Sequence, residues 1–249
     1  MQIIIIIILV IALIYLLVKQ SKKDFNEETF LSIVNHTFRT PLTRIKWMAD
    51  TIKSDMPRKD ELEIINNLDN SVNRLLELVD IVAGIKDIKN TSTYDLKAVS
   101  IREILEESLK KHSALLHNKK ISLNFPTMTN LPFLSIDVKK ISFVINVFLE
   151  NAILYSKEGG NINIEAEMKK DKLVLKIEDV GIGLSKKDKN NIFKRFYRGG
   201  RATKMNTDGM GLGLYASREI VRRHHGEIYA YSKGENLGTT FYIILPKSK

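Results

Sequence analysis

The sequence predicts a multidomain chain: an N-terminal transmembrane helix, an all-α helical hairpin that pairs into a dimeric four-helix bundle, and a C-terminal α+β sandwich. Three observations carry this. Residues 3–18 form an unbroken apolar run, apolar residues from about 24 to 85 recur every seven positions, and twelve of the thirteen glycines fall after residue 158, where heptads give way to alternation. The boundaries are 1–23 for the anchor and juxtamembrane segment, 24–90 for the hairpin, 91–98 for a linker and 99–249 for the sandwich.

Composition narrows the chemistry. With 44% apolar and 27% charged residues, the 249-residue chain is globular in character, and the absence of cysteine excludes a disulfide scaffold, a thiolate metal site and a cysteine nucleophile. The net charge of +10 is uneven: residues 1–96 carry 12 basic and 13 acidic side chains, so the surplus lies in residues 97–249 with 27 and 16. A basic surface alone suits nucleic acid, anionic lipid or a polyphosphate.

The apolar run of sixteen residues covers roughly 24 Å of a hydrocarbon core about 30 Å thick, a gap that bilayer thinning or snorkelling by Lys19 absorbs. A cleaved signal peptide needs a positive leader and a small-residue cleavage site, whereas Met1-Gln2 precede this run and Lys19-Gln20-Ser21-Lys22 follow it. Lys19, Lys22 and Lys23 all lie on the C-terminal side, which orients the rest of the chain into the cytoplasm. The expectation is a single-pass protein of the inner or cytoplasmic membrane without an extracellular sensor domain.

In the hairpin, Leu31, Phe38, Ile45 and Ile52 form one row of the first helix, with Val34, Leu42 and Ala49 or Met48 in the second. Ser54-Asp55-Met56-Pro57 breaks that helix, and a second one from 57 or 58 to 85 repeats the pattern with Ile65, Val72 and Val79 beside Leu68, Leu75 and Val82. Two antiparallel helices leave apolar surface uncovered, so pairing across a two-fold axis into a homodimer is the economical solution. With Leu31 and Phe38 at heptad position a, His36 falls at f, facing water. Pro41 removes a helical hydrogen bond beside it and bends the helix. Trp47, at a c position, is expected to be half-buried.

Farther along, residues 161–168 and 173–177 alternate around a Lys169-Lys170-Asp171 turn, a β-hairpin, and 239–245 alternate likewise. Helices are expected at about 100–117, 138–154, 188–196 and 211–224. Two glycine clusters punctuate these elements, Asp179-Val180-Gly181-Ile182-Gly183 after a strand and Gly209-Met210-Gly211-Leu212-Gly213-Leu214 before a helix. Neither has the spacing of a P-loop or a dinucleotide fingerprint. Residues 184–208 between them carry eight basic side chains against Asp188 and Asp208, a lid suited to a polyphosphate.

These residues in this order, Asn151, Asp179-x-Gly181-x-Gly183, Ile192-Phe193-Lys194-Arg195-Phe196-Tyr197-Arg198, Gly209-x-Gly211-Leu212-Gly213-Leu214 and Gly238-Thr239-Thr240-Phe241, resemble the ATP-binding domain of bacterial sensor histidine kinases. Phe30-Leu31-Ser32-Ile33-Val34-Asn35-His36-Thr37-Phe38-Arg39-Thr40-Pro41-Leu42 resembles their phosphoacceptor box. The resemblance implies that His36 is autophosphorylated with ATP and Mg²⁺ and passes the phosphoryl group to an aspartate of a cytoplasmic response regulator. It implies that Asp179 bonds the adenine amino group, that Gly181 and Gly183 shape that loop, and that Tyr155 lies along the base. Asn151 is the implied metal ligand. Gly209, Gly211, Leu212 and Gly213 form the implied phosphate loop, and Arg198 reaches the γ-phosphate.

Three departures qualify the resemblance. Thr37 stands where the family has an acidic residue that orients the histidine, and Val147 and Leu154 stand where it has an asparagine and a lysine. Asn146, Glu150 and the basic lid are the substitutes at hand. Only residues 19–23 separate the anchor from the first long helix, so input comes through the membrane helix, the lipid or a partner. Thr40, one turn after His36, occupies a position that in the family serves regulator dephosphorylation. The alternatives are a weakened membrane-tethered ATP-binding scaffold, a response-regulator phosphatase, or another ATPase of the gyrase–chaperone–kinase superfamily; the last lacks an exposed histidine on a heptad hairpin. Nucleic-acid binding ranks last because the lid accounts for much of the charge. His224-His225 is read as interacting with a helix C-terminus rather than as a metal site.

Overall fold

The computed structural model describes residues 27–52, 64–65, 67–68, 71–72, 75, 94–126, 131–206 and 209–247. The apolar run at 3–18, the break at 54–57 and most of the second hairpin helix lie outside the described residues. Among those described, no helix is long and apolar enough to cross a membrane. The chain divides near residue 86 into two compact units.

In the first unit, α1 (Glu27–Ile52) runs on through Pro41, which has no N–H to give to the carbonyl four residues back. Phe38 and Met48 are buried, and Leu42 and Ile45 are half-buried, as the heptad requires. Trp47 is 65% exposed, more open than its heptad position suggested. Of the second helix, residues 64–65, 67–68, 71–72 and 75 are helical. Leu75 is buried, while Ile65 and Val72, seven apart, stay exposed on the single chain.

The second unit runs β1 (Leu96–Ser100), α2 (Ile101–Lys111), α3 (Ser113–Asn118), β2 (Ser122–Asn124), β3 (Phe133–Asp137), α4 (Val138–Tyr155), β4 (Asn161–Lys169), β5 (Lys172–Asp179), α5 (Lys186–Lys189), α6 (Gly200–Met205), α7 (Gly213–Arg223), β6 (Glu227–Tyr231) and β7 (Thr239–Pro246). Strands β1 and β3 pair antiparallel by themselves. The main sheet has the order β2-β4-β5-β7-β6, antiparallel except where β2 meets β4.

Alternation makes one face of this sheet apolar. Leu173, Leu175 and Ile177 of β5 stand opposite Leu245, Ile243 and Phe241 of β7, and all six are buried. Helix α4 lays Ile141, Val144, Ile145, Phe148, Leu149 and Ala152 into the same core, with α2 and α7 beside it. The Phe148 and Phe241 rings meet at 4.7 Å. The opposite face is polar, where Lys176 reaches Glu165 and Glu167 at 3.2 and 3.5 Å. The α+β sandwich is therefore present.

Several elements differ from the sequence expectation. The helix expected over 100–117 is two, α2 and α3, parted at His112, whose ring is buried and bonds the Ser108 carbonyl at 2.8 Å and Glu150 at 3.4 Å. A bonded, buried imidazole at the junction holds the break. The helix expected over 188–196 shrinks to α5, closed by a Ser185–Asp188 capping box, because the chain turns out of helical conformation and Phe196 takes a φ of +61°. Helix α7 starts at Gly213, not at 211. Strand β1 begins inside the segment read as linker. Strands β2, β3 and β6 and helix α6 were not anticipated.

Phe148→Ala should cost the second unit about 3–5 kcal/mol, the usual range for emptying a filled aromatic site. Chemical denaturation of this unit checks it, and a loss below about 1 kcal/mol would place the core elsewhere.

Candidate functional site

The core row of β5 ends in a carboxylate. Continuing Leu173, Leu175 and Ile177 by one more step puts Asp179 on the same buried face, between Ile162 of β4 and Thr239 of β7. It is 5% exposed. Its Oδ1 accepts from the backbone N–H of Gly181 at 2.8 Å and of Thr239 at 3.2 Å, which leaves Oδ2 for a ligand donor. Burial raises its pKa to about 6, with the two N–H bonds pulling the other way.

The loop after Asp179 is pressed against the end of α4. Ile182 N–H donates to the Tyr155 carbonyl at 3.2 Å, and a Cβ at position 181 would stand 2.2 Å from that same oxygen, so only glycine fits. Gly183 has a φ of +62°, and a side chain there would strike the Gly234 carbonyl at 2.0 Å. Asp179, Gly181, Gly183 and Tyr155 thus form one wall. Burial pushes the Tyr155 phenol up while the Arg198 guanidinium, hydrogen-bonded to it, pulls it down, so the lid reaches this wall.

Asn151 lies one turn before Tyr155 on α4, and its Nδ2 donates to the Val147 carbonyl at 2.6 Å. That orients Oδ1, a hard oxygen donor, away from the helix. Val147 packs on Gly213, its two methyls 3.2 and 3.4 Å from where a side chain at 213 would begin. The floor under the first residue of α7 is therefore apolar where the resemblance implied an asparagine. Of the nearby polar groups, the Asn146 amide oxygen is buried and Glu150 bonds His112 through Oε1 at 3.4 Å.

Gly211 has a φ of +66° and its carbonyl accepts from Phe196 N–H at 2.9 Å. Leu212 is 1% exposed, so its side chain anchors the loop in the core. No side chain caps α7, which leaves its first N–H groups as an anion site. Gly209 stands two residues before Gly211 in the chain.

The lid's arginines are engaged with protein. Arg201 donates to the Ile182 carbonyl at 3.0 Å and to Asn236, Arg195 to the Tyr215 hydroxyl at 2.9 Å, and Arg198 to the Asn206 carbonyl. The net charge of the lid thus overstates what it offers a phosphate. His224 sits at the C-terminus of α7 as expected, its Nδ1 bonding the Ile220 carbonyl of the last turn at 2.8 Å, but its ring is 5% exposed and its Nε2 accepts from Asp137 N–H at 3.0 Å. Burial lowers its pKa, so it is a neutral core residue and not a charge at a helix end. No group of three or more His, Asp or Glu side chains among the described residues is placed to hold a metal. A single amide oxygen still suits Mg²⁺, which takes few protein ligands when phosphates supply the rest.

Helix α1 carries His36, Thr37 and Thr40, with His36 and Thr40 one turn apart. Their side chains lie outside the described part of the structure.

Comparison with known proteins follows this division. Residues 26–82 match the family model of the His Kinase A (phospho-acceptor) domain, and residues 136–249 match that of the histidine kinase-, DNA gyrase B- and HSP90-like ATPase. The sensor histidine kinase WalK of Bacillus subtilis is 29% identical over 246 residues, 95% of this chain but 39% of its own length. The chain thus spans about two fifths of that relative. Among solved structures, the histidine kinase AdeS of Acinetobacter baumannii superposes with a TM-score of 0.64 at 25% identity, covering 86% of this chain and 98% of that one. A structure of the histidine kinase ThkA in complex with response regulator protein TrrA gives 0.65 at 22% identity, covering 88% and 61%.

Because Asp179 is held at a raised pKa, stability should fall as pH rises from about 4 to about 6 and stay level above that, a penalty on the order of 3 kcal/mol at pH 8 for a shift from 3.8 to about 6. Asp179→Asn keeps the Oδ1 acceptor and loses the charge. It should raise the melting temperature of the ligand-free protein at pH 8 and abolish the change between pH 4 and 6. Calorimetry at both ends of that window checks it.

Proposed function

We propose that this chain, which belongs to the sensor histidine kinases of two-component systems, autophosphorylates His36 with ATP and passes the phosphoryl group to an aspartate of a response regulator. The observation that carries this reading is the buried Asp179 carboxylate, fixed by two backbone N–H groups at the end of an apolar row and backed by Gly181 against the Tyr155 carbonyl. Such a carboxylate accepts from an exocyclic amine and excludes water from it, which suits adenine.

The chain's residues then divide the work. Asp179 Oδ2 takes the adenine amino group, Tyr155 lies along the base, and the uncapped N-terminus of α7 with Gly209, Gly211 and Gly213 receives phosphate oxygens. Asn151 would hold Mg²⁺, which would supply neutralisation of phosphate charge. Arg198 leaves its backbone acceptor to meet the γ-phosphate. A neutral His36 nitrogen forms the N–P bond as the bond from the γ-phosphorus to the ADP oxygen breaks. Thr37 is no base near neutral pH, so the imidazole proton passes to solvent.

The exposed Ile65 and Val72 row supports a homodimer, and the apolar run at 3–18 supports anchoring in the cytoplasmic membrane with the catalytic part inside. A response regulator as partner draws support from ThkA, a protein of the same fold solved with one. A second reading, an ATP-binding scaffold or a regulator phosphatase, is favoured by Thr37, Val147 and Leu154 together.

The test is incubation of the whole 249-residue chain in detergent micelles with γ-labelled ATP and Mg²⁺. Acid-labile, base-stable label should appear on the protein and vanish in His36→Gln. Nucleotide binding without any label would establish the second reading instead.

A further inference from the structure

Helix α4, which carries Asn151 and Tyr155, ends without a basic residue in its last turn, and position 154 is leucine. Its terminal carbonyls need partners from elsewhere. They find one ammonium: Lys119 Nζ donates to the carbonyls of Ile153, Leu154 and Ser156 at 2.9, 2.7 and 3.0 Å. Three donors meet three acceptors, which uses the whole capacity of the group. The carbonyl between them, that of Tyr155, points to the other side and accepts from Ile182 N–H in the loop after Asp179.

The lysine is itself fixed. Gly159 N–H donates to the Lys119 carbonyl and Ser122 N–H to the Gly160 carbonyl, both at 2.9 Å, so the turn before β2 is zipped to the turn after α4. Lys120 and Glu158 pair across the same junction at 2.8 Å. Desolvation lowers the pKa of Lys119, which offsets part of what the three bonds contribute.

We infer that Lys119 is a positioning residue for the adenine side of the nucleotide site, capping from a distant turn a helix end that has no basic residue in its own last turn. By gathering the carbonyls on one side of the α4 terminus it sets the direction of the Tyr155 carbonyl. That carbonyl sets Ile182 and, through Gly181, the Asp179 loop. This rests on the nucleotide-site reading above. It concerns base binding, not the transfer step, since nothing in the chain of contacts leads to the phosphate end.

The experiment compares the whole chain with Lys119→Met and Lys119→Arg, reading ADP affinity, the labelling rate at saturating ATP and the amide exchange of Ile182. Lys119→Met should weaken ADP about tenfold, the order expected from losing charge-assisted hydrogen bonds, and speed Ile182 exchange by a similar factor. The labelling rate at saturation should change less than about twofold, and Lys119→Arg should restore most of the affinity. Unchanged affinity in Lys119→Met, with a wild type that binds ADP, overturns the inference. So does an affinity loss accompanied by equally faster exchange throughout the β4–β5 sheet, which is general unfolding. If the wild type binds no nucleotide, the site reading fails by itself, and local acceleration at Ile182 in the empty protein still decides the role of Lys119.

Discussion

Everything at the site depends on one polar group placed where an apolar one is due. The register of β5 between β4 and β7 is fixed by Leu173, Leu175 and Ile177, because a slip of one residue would turn that row to solvent. Once the row is fixed, Asp179 has nowhere to go but the core face. The two N–H bonds to Oδ1 keep it tolerable there, and both come from backbone whose path needs glycine nearby. The placement of this carboxylate is thus a by-product of sheet register, and it is rigid for the same reason that the core is.

The departures from the family pattern look different once their surroundings are known. Val147 is not an empty place where a ligand is missing, since its methyls form the dry floor beneath Gly213. Leu154 leaves the end of α4 without its own cation, and Lys119 supplies one from 35 residues earlier in the chain. Packing accommodates the first in the fold and a capping bond the second, without restoring either polar group.

What the sequence made legible follows from the range of the interactions involved. Strands β4, β5 and β7 and helices α4 and α7 were readable because each buries a long periodic row, and the glycine-flanked Asp179 was readable because its loop is local. Strand β1 was hidden because Leu96, Lys97 and Ala98 are all exposed, so it has no alternation to read. Strands β2 and β6 are short edge strands of the main sheet. The break at His112 depends on Glu150, 38 residues away, and the Lys119 cap on carbonyls 34 to 37 residues away. Contacts of that range leave no periodic trace.

The lid shows the same limit in electrostatic form. Summed along the sequence, its charge argued for polyphosphate, but a sum cannot tell a cation facing solvent from one already bonded to a carbonyl. Arg201 ties the lid to the Asp179 loop through Ile182 and to Asn236 in the β6–β7 turn, and Arg195 ties it to Tyr215 on α7. These bonds hold the lid to both glycine loops at once, with Phe196 strained at positive φ where it bonds Gly211. The arginines therefore set the lid's shape before any ligand arrives. On the proposed reading, a phosphate that takes Arg198 competes with the Asn206 carbonyl, so that nucleotide binding and rearrangement of the lid would be a single coupled step.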